Sequence, residues 1–162
     1  MKIVDYTPNS DQAFQGDVMI APLPAGICIS DSAQEIDLEA IGKRPGDVII
    51  AAGEATGHNH AFRYGLDNVA RFRDDGLARD LAVGAMVQQG TAKLYRDQNA
   101  LDQLVRNGFV REPGLCIGFL RVENNAPPLT HDEHDAIRFS AREYYVCGKR
   151  EMNAGEIMRV RD

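Results

Sequence analysis

The four histidines of this 162-residue chain stand in two tight pairs: His58 and His60 in GEATGHNHAF, and His131 and His134 in LTHDEHDAI. Neutral imidazole is a ligand for zinc, iron, nickel and copper. On a strand, residues i and i+2 face the same side, about 7 Å apart along the chain. His58 and His60 therefore present two rings on one face of a strand. A spacing of three does the same on a helix or tight turn. The flanks PPLT and AIRF favour a turn leading into a strand. Two such pairs can lean toward one ion at a metal–nitrogen distance of about 2.1 Å. The expectation is a divalent transition metal (zinc, iron or nickel) held by His58, His60, His131 and His134.

Acidic residues crowd the same segments. Glu54 precedes the first pair across a glycine-containing turn and is a candidate additional ligand, imidazole partner or general base. Asp132, Glu133 and Asp135 flank the second pair and read as a solvated acidic turn. Gly53 and Gly57 bracket Glu54 and permit a positive φ or a close backbone approach. Two other readings of the histidines stand beside metal binding. Each ring could be half-buried and hydrogen-bonded to its surroundings, or the cluster could act as a pH switch, since charged imidazoles repel one another below about pH 6.

Other chemistries find less support. Cys28, Cys116 and Cys147 are widely spaced and odd in number, so they read as small buried hydrophobes, not as a disulfide framework or CxxC site. No phosphate loop, dinucleotide fingerprint or GxSxG elbow is present. Arg63, Arg71, Arg73 and Arg79 interleave with Asp67, Asp74, Asp75 and Asp80 and read as a solvated, ion-paired face. The net charge of −6 argues against a nucleic-acid groove. No apolar run approaches the roughly 20 residues of a membrane span, and MKIVDYTPNSDQ lacks the apolar core of a signal peptide. These features predict a soluble protein of a reducing compartment, cytoplasmic in its host.

The elements that must position the histidines are mostly strands. GDVMIAPLP (16–24) and GDVIIAAGE (46–54) each enter a strand from a Gly-Asp turn. HNHAFRYG alternates, with His58, His60, Phe62 and Tyr64 on one face and Asn59 and Arg63 on the other. VARFR, TAKLYRD, LCIGFLRVE, AIRF, EYYVCGKRE and GEIMRV add further strands. Ile36, Leu38 and Ile41 before Gly42 suggest a short helix or turn over 34–41. Over 76–90, Leu77, Leu81 and Gly84 suit a helix, but Gly84 and the Val/Ala mix argue against it, and the segment is ambiguous. DQNALDQLVRNG predicts a helix capped by Asp97, with Leu101, Leu104 and Val105 on one face, Arg106 in the last turn and Gly108 ending it. The fold expected is one mainly β domain over residues 1–162, a barrel or sandwich with one or two short inserted helices.

The motifs GE-x-TGH-x-H (Gly53 to His60) and LTH-x-EH-x-x-I (Leu129 to Ile137) together resemble an uncharacterised family of small proteins from bacteria and their phages. Tyr145-Val146 with Arg150-Glu151, and QGDVMI at 15–20, are similar to further segments of that family. The resemblance covers the two ends of the chain better than residues 66–115. It departs at Arg142 and Glu143, where the family carries a glycine. It implies no reaction, but it implies a phage or a prophage-bearing bacterium as host. More distantly, HNH resembles the HxH of cupins, metal-holding β-barrels. The glutamate that follows in cupins is absent, since Ala61, Phe62, Arg63, Tyr64 and Gly65 come next. The functional expectation is a metal-binding β protein with the reaction left open. The alternative is a virion structural protein, such as a capsid decoration or cement subunit, in which metal staples sheets. Homo-oligomers or capsid and other protein subunits are the expected partners, with no nucleic acid and no membrane. A third option is a binding module whose partner docks on an exposed strand edge.

Overall fold

A computed structural model of the chain describes residues 2–6, 12–53, 58–64, 90–148, 150–153 and 156–159. They form a mainly β structure. The strands are β1 (Ile3–Asp5), β2 (Ala13–Gln15), β3 (Val18–Pro22), β4 (Gln34–Ile36), β5 (Val48–Ala51), β6 (His60–Phe62) and β7 (Ala92–Arg96). After helix α1 (Gln98–Arg106) and a 3-10 turn (Pro113–Leu115) come β8 (Cys116–Val122), β9 (Leu129–Thr130), β10 (Ala136–Arg138) and β11 (Arg142–Gly148). A separate hairpin pairs β12 (Arg150–Asn153) with β13 (Glu156–Arg159).

Sheet A has the order β1-β10-β9-β6-β5, and sheet B the order β2-β3-β11-β8-β7-β4. Among the described residues neither sheet closes on itself, so the architecture is that of a sandwich and the barrel alternative is not realised. The main core lies between the sheets. Ile50, Phe62, Leu129 and Ile137 of sheet A meet Val18, Ile20, Leu94, Leu120, Val122, Tyr144 and Val146 of sheet B. Because side chains alternate along a strand, the neighbours of these sheet B residues point the other way. Ala21, Phe119, Tyr145 and Cys147 form a second core with Ala100 and Leu104 of α1. Sheet B is thus apolar on both faces at its centre, which accounts for the unbroken apolar runs CIGFL and YYVC.

Helix α1 follows the sequence expectation closely. The Asp97 carboxylate accepts from the Ala100 amide at 3.1 Å, and Gly108 sits at φ +80° just past the last turn. Asp97 also accepts from the Ser30 amide and hydroxyl, at 2.7 and 2.9 Å. Burial alone would raise its pKa, but these hydrogen bonds outweigh burial and hold the carboxyl below its ordinary value. Burying Leu104 contributes roughly 2 kcal/mol. Val105, expected on the same face, is instead 38% exposed. Among the described residues no helix is long and apolar enough to cross a membrane.

Other expectations are corrected. Residues 34–36 are not helical: Gln34, Glu35 and Ile36 pair with Arg96, Tyr95 and Leu94 as an edge strand. Ile36 and Leu38 have the period of two that a strand needs, and both pack on the main core. Arg63 does not lie on a solvated face. It is 3% exposed and pairs with the equally buried Asp47. Of the cysteines only Cys147 is buried; Cys116 is partly covered and Cys28 exposed. Arg71, Arg73 and Arg79, their interleaved aspartates, and most of residues 76–90 lie outside the described residues.

Candidate metal centre

The two histidine pairs meet at one end of the sandwich, through strand register. β6 and β9 are antiparallel neighbours, with Phe62 opposite Leu129 and Ala61 opposite Thr130. One step further in the same register, His60 lies opposite His131. Their ring centroids are 4.3 Å apart, with planes inclined by 32°. The bend at 132–134 between β9 and β10 then brings the His134 ring to 4.6 Å from that of His131, with planes inclined by 34°. His58, just before β6, approaches His131 edge-on at 6.1 Å. His131 is therefore the hub of all four rings. Two imidazoles sharing one ion would have centroids no more than about 6.4 Å apart, given metal–nitrogen distances of about 2.1 Å. All three separations fall within that bound, which only donors on opposite sides of the ion reach; tetrahedral donors put centroids about 5.2 Å apart, so His58 at 6.1 Å has to move inward.

Asn59 and Gly53 set the chain path into β6. The Asn59 side chain accepts from the Gly53 amide at 3.1 Å and donates to the Ile41 carbonyl at 2.7 Å. Arg63, on the same side of the strand as Asn59, reaches the neighbouring Gly42 carbonyl. This confirms the expected division between the histidine face and the Asn59/Arg63 face. The Gly53 backbone lies so close to His58 that a Cβ would come within 2.5 Å of the His58 carbonyl oxygen. Close approach, not a positive φ, is what requires glycine there. Glu54 and Gly57 lie outside the described residues.

Two residues that histidine spacing does not suggest complete the surroundings. The β2–β3 turn, with Gly16 at φ +57°, brings Gln15 of sheet B and Asp17 of the turn itself to His60 of sheet A. The Gln15 amide nitrogen donates to the Leu129 and Asp135 carbonyls, at 3.0 and 2.9 Å. Those two bonds fix the amide's orientation, so its oxygen faces His60 Nδ1 at 2.8 Å and must accept from it. Nδ1 is therefore a donor, and Nε2 is the nitrogen turned toward Asp17 Oδ1, 3.3 Å away. That separation matches the edge of a tetrahedron of donors about 2 Å from a shared ion. The only signal for these residues in the sequence is their place in QGDVMI, where Gly-Asp reads equally well as turn chemistry.

His58 has a similar arrangement. Its Nδ1 lies 3.1 Å from the Glu133 carboxylate, while Asp132 is 4.0 Å from its Nε2. Acceptors at Nδ1 fix the tautomer and leave Nε2 as the basic nitrogen, the usual supporting shell of a metal-bound histidine. Asp132, Glu133 and Asp135 are all exposed, as expected of an acidic turn, yet Glu133 also serves His58.

His131 differs. Its Nδ1 accepts from the Glu133 amide at 3.1 Å, so the neutral ring carries its proton on Nε2. Ligation through Nε2 requires this ring to turn over and give up that bond. Burial lowers the His131 pKa to about 4, helped by the charges of His60, His134 and His58 and opposed by Asp132. The ring is therefore neutral at neutral pH, the state a ligand needs. Among the described residues no three His, Cys, Asp or Glu side chains already surround one point as a metal site would require. The rings are gathered but not yet aimed.

Comparison with family models, with curated proteins and with solved structures finds no match to this chain.

Proposed function

We propose that the cluster binds one divalent transition metal, with His58, His60, His131 and His134 as the nitrogen donors and Glu54 as a candidate fifth. The observation that carries this reading is the gathering of every histidine in the chain around His131, from segments some seventy residues apart. His58 and His60 each offer Nε2 with Nδ1 supported by an acceptor. Binding turns the His131 ring and draws the four nitrogens inward.

The same geometry favours a stapling role for the ion. Gln15 at the end of β2 holds the His60 ring and Asp17 of the β2–β3 turn faces its Nε2, so an ion on His60 is linked to sheet B through these two residues. An ion that binds only the folded chain stabilises it by mass action. A place in a virion rests on the phage resemblance alone, and proteomics of purified particles addresses it. His58 and His134 lie at the solvent rim, so a small molecule can approach the ion from that side.

The test is elemental analysis of untagged protein, followed by zinc titration of the chelated chain. About one equivalent of metal is expected in the wild type, and loss of it in His60→Ala and His131→Ala. Protein that stays metal-free after incubation with zinc, iron and nickel removes the proposal.

A further inference from the structure

Away from the histidines, the β8–β11 pairing holds two thiols face to face. Cys147 lies directly opposite Cys116, beside a register shift that follows Val146. Opposed residues of an antiparallel pair have Cα atoms about 4.5–5.5 Å apart, inside the range of about 4.4–6.8 Å that a disulfide spans. Both residues sit on the helix face of sheet B. Cys116 is partly exposed, while Cys147 is 7% exposed behind it. A cavity of about 130 Å³, lined by Cys116, Arg96, Gln98, Leu101 and Phe119, opens onto the outer thiol. A water molecule takes about 30 Å³ of liquid, so a small oxidant fits.

We propose that Cys116 and Cys147 are a peroxide-reactive dithiol that closes to a cross-strand disulfide, with Cys116 the attacking and Cys147 the resolving residue. The Cys116 sulfur attacks one oxygen of a hydroperoxide. An S–O bond forms, the O–O bond breaks, and the other oxygen leaves as an alcohol or water carrying the Cys116 proton. The Cys147 sulfur then attacks the sulfenic sulfur. The S–S bond forms, the S–O bond breaks, and hydroxide leaves as water with the Cys147 proton. Two thiols lose two electrons and the peroxide gains them.

The division of labour follows from access. Cys116 is partly exposed and lines the cavity, so an oxidant reaches it first, while Cys147 is 7% exposed. The interaction of the two thiols lowers the Cys116 pKa and raises that of Cys147, and burial adds to that rise.

The experiment uses the full chain with Cys28→Ser, which removes the exposed thiol and any dimer formed through it. One equivalent of hydrogen peroxide is added, remaining thiols are alkylated and the protein is weighed and digested. The expected product is lighter by two hydrogens, resists alkylation, yields linked peptides carrying Cys116 and Cys147, and reverts with dithiothreitol. In a second variant with Cys147→Ser, Cys116 is expected to accumulate as a dimedone-trapped sulfenic acid or as sulfinic acid. Two alkylatable thiols after peroxide overturn the proposal, as does sulfinic acid on Cys116 of the Cys28→Ser chain without linked peptides. If the second variant does not fold, the peptide result decides alone.

Discussion

Acidification should destabilise the metal-free fold through His131 in particular. Its folded pKa of about 4 lies below the ordinary 6.5 because the ring is buried and faces other histidines. The folded state therefore takes up this proton less readily than the unfolded state. The resulting loss of stability begins as pH falls through about 6.5 and is complete only below about 4. Integrated over that window, the linkage is about 2 kcal/mol between pH 7 and pH 5 and about 3 kcal/mol by pH 4. The exposed carboxylates also titrate, so the useful quantity is the difference from His131→Asn. The asparagine Oδ1 stands where Nδ1 did, keeps an acceptor for the Glu133 amide and does not titrate. Urea unfolding of both proteins in chelator, at several pH values from 7.5 to 4.5, yields the stability gap directly. The gap should shift toward the variant by about 2 kcal/mol on going to pH 5. A gap that stays constant across this range would falsify the account of a neutral, buried hub ring.

Three further outcomes are expected. Gln15→Ala removes no metal donor but frees the His60 ring, so zinc affinity measured calorimetrically should fall about 10–100-fold, whereas unchanged affinity would separate Gln15 from the site. Gly53→Ala places a methyl against the His58 carbonyl and should cost about 1–3 kcal/mol in urea unfolding; a variant as stable as the wild type would mean the two backbones part easily. Arg63→Leu leaves the buried Asp47 carboxylate with only Arg44, whose amide donates to it at 3.0 Å and whose Nε lies 3.9 Å away, and should cost up to about 3–5 kcal/mol, and a thermal midpoint unmoved by the change would rule the Arg63 pair out as a structural requirement.

Much of this arrangement is legible along the chain because its signals are local. Asp97 and Gly108 bound α1 by capping chemistry that acts within a few residues. The mainly β class follows from apolar segments entered through Gly-Asp turns, and both GDV segments become strands. The histidine pairs are legible by spacing, and their meeting is what the metal expectation demands. What the chain hides is partnership at a distance. Arg63 looks like one of a run of surface arginines until Asp47, sixteen residues away, is seen beside it. Residues 34–36 carry helix-like acids and become a strand because β7 offers an open edge. Gln15 and Asp17 sit in a turn whose sequence any hairpin could share, and only the stacking of two sheets brings them to His60. Cys116 and Cys147 are thirty-one positions apart, and their opposition is a matter of register that composition does not carry.

The parallel pairing of β1 with β10 bears on the route by which the chain folds. Ile3 meets Ala136, and β9 takes its seat between β10 and β6, so the middle of sheet A is filled from far along the chain. Ring closures of that length lose entropy before any contact compensates, which slows assembly. A chain leaving the ribosome N-terminus first exposes His58 and His60 well before residue 131 has been made. The histidine cluster consequently cannot form before residue 131 has been made, and a chain cut short before that point carries only one of its two histidine pairs.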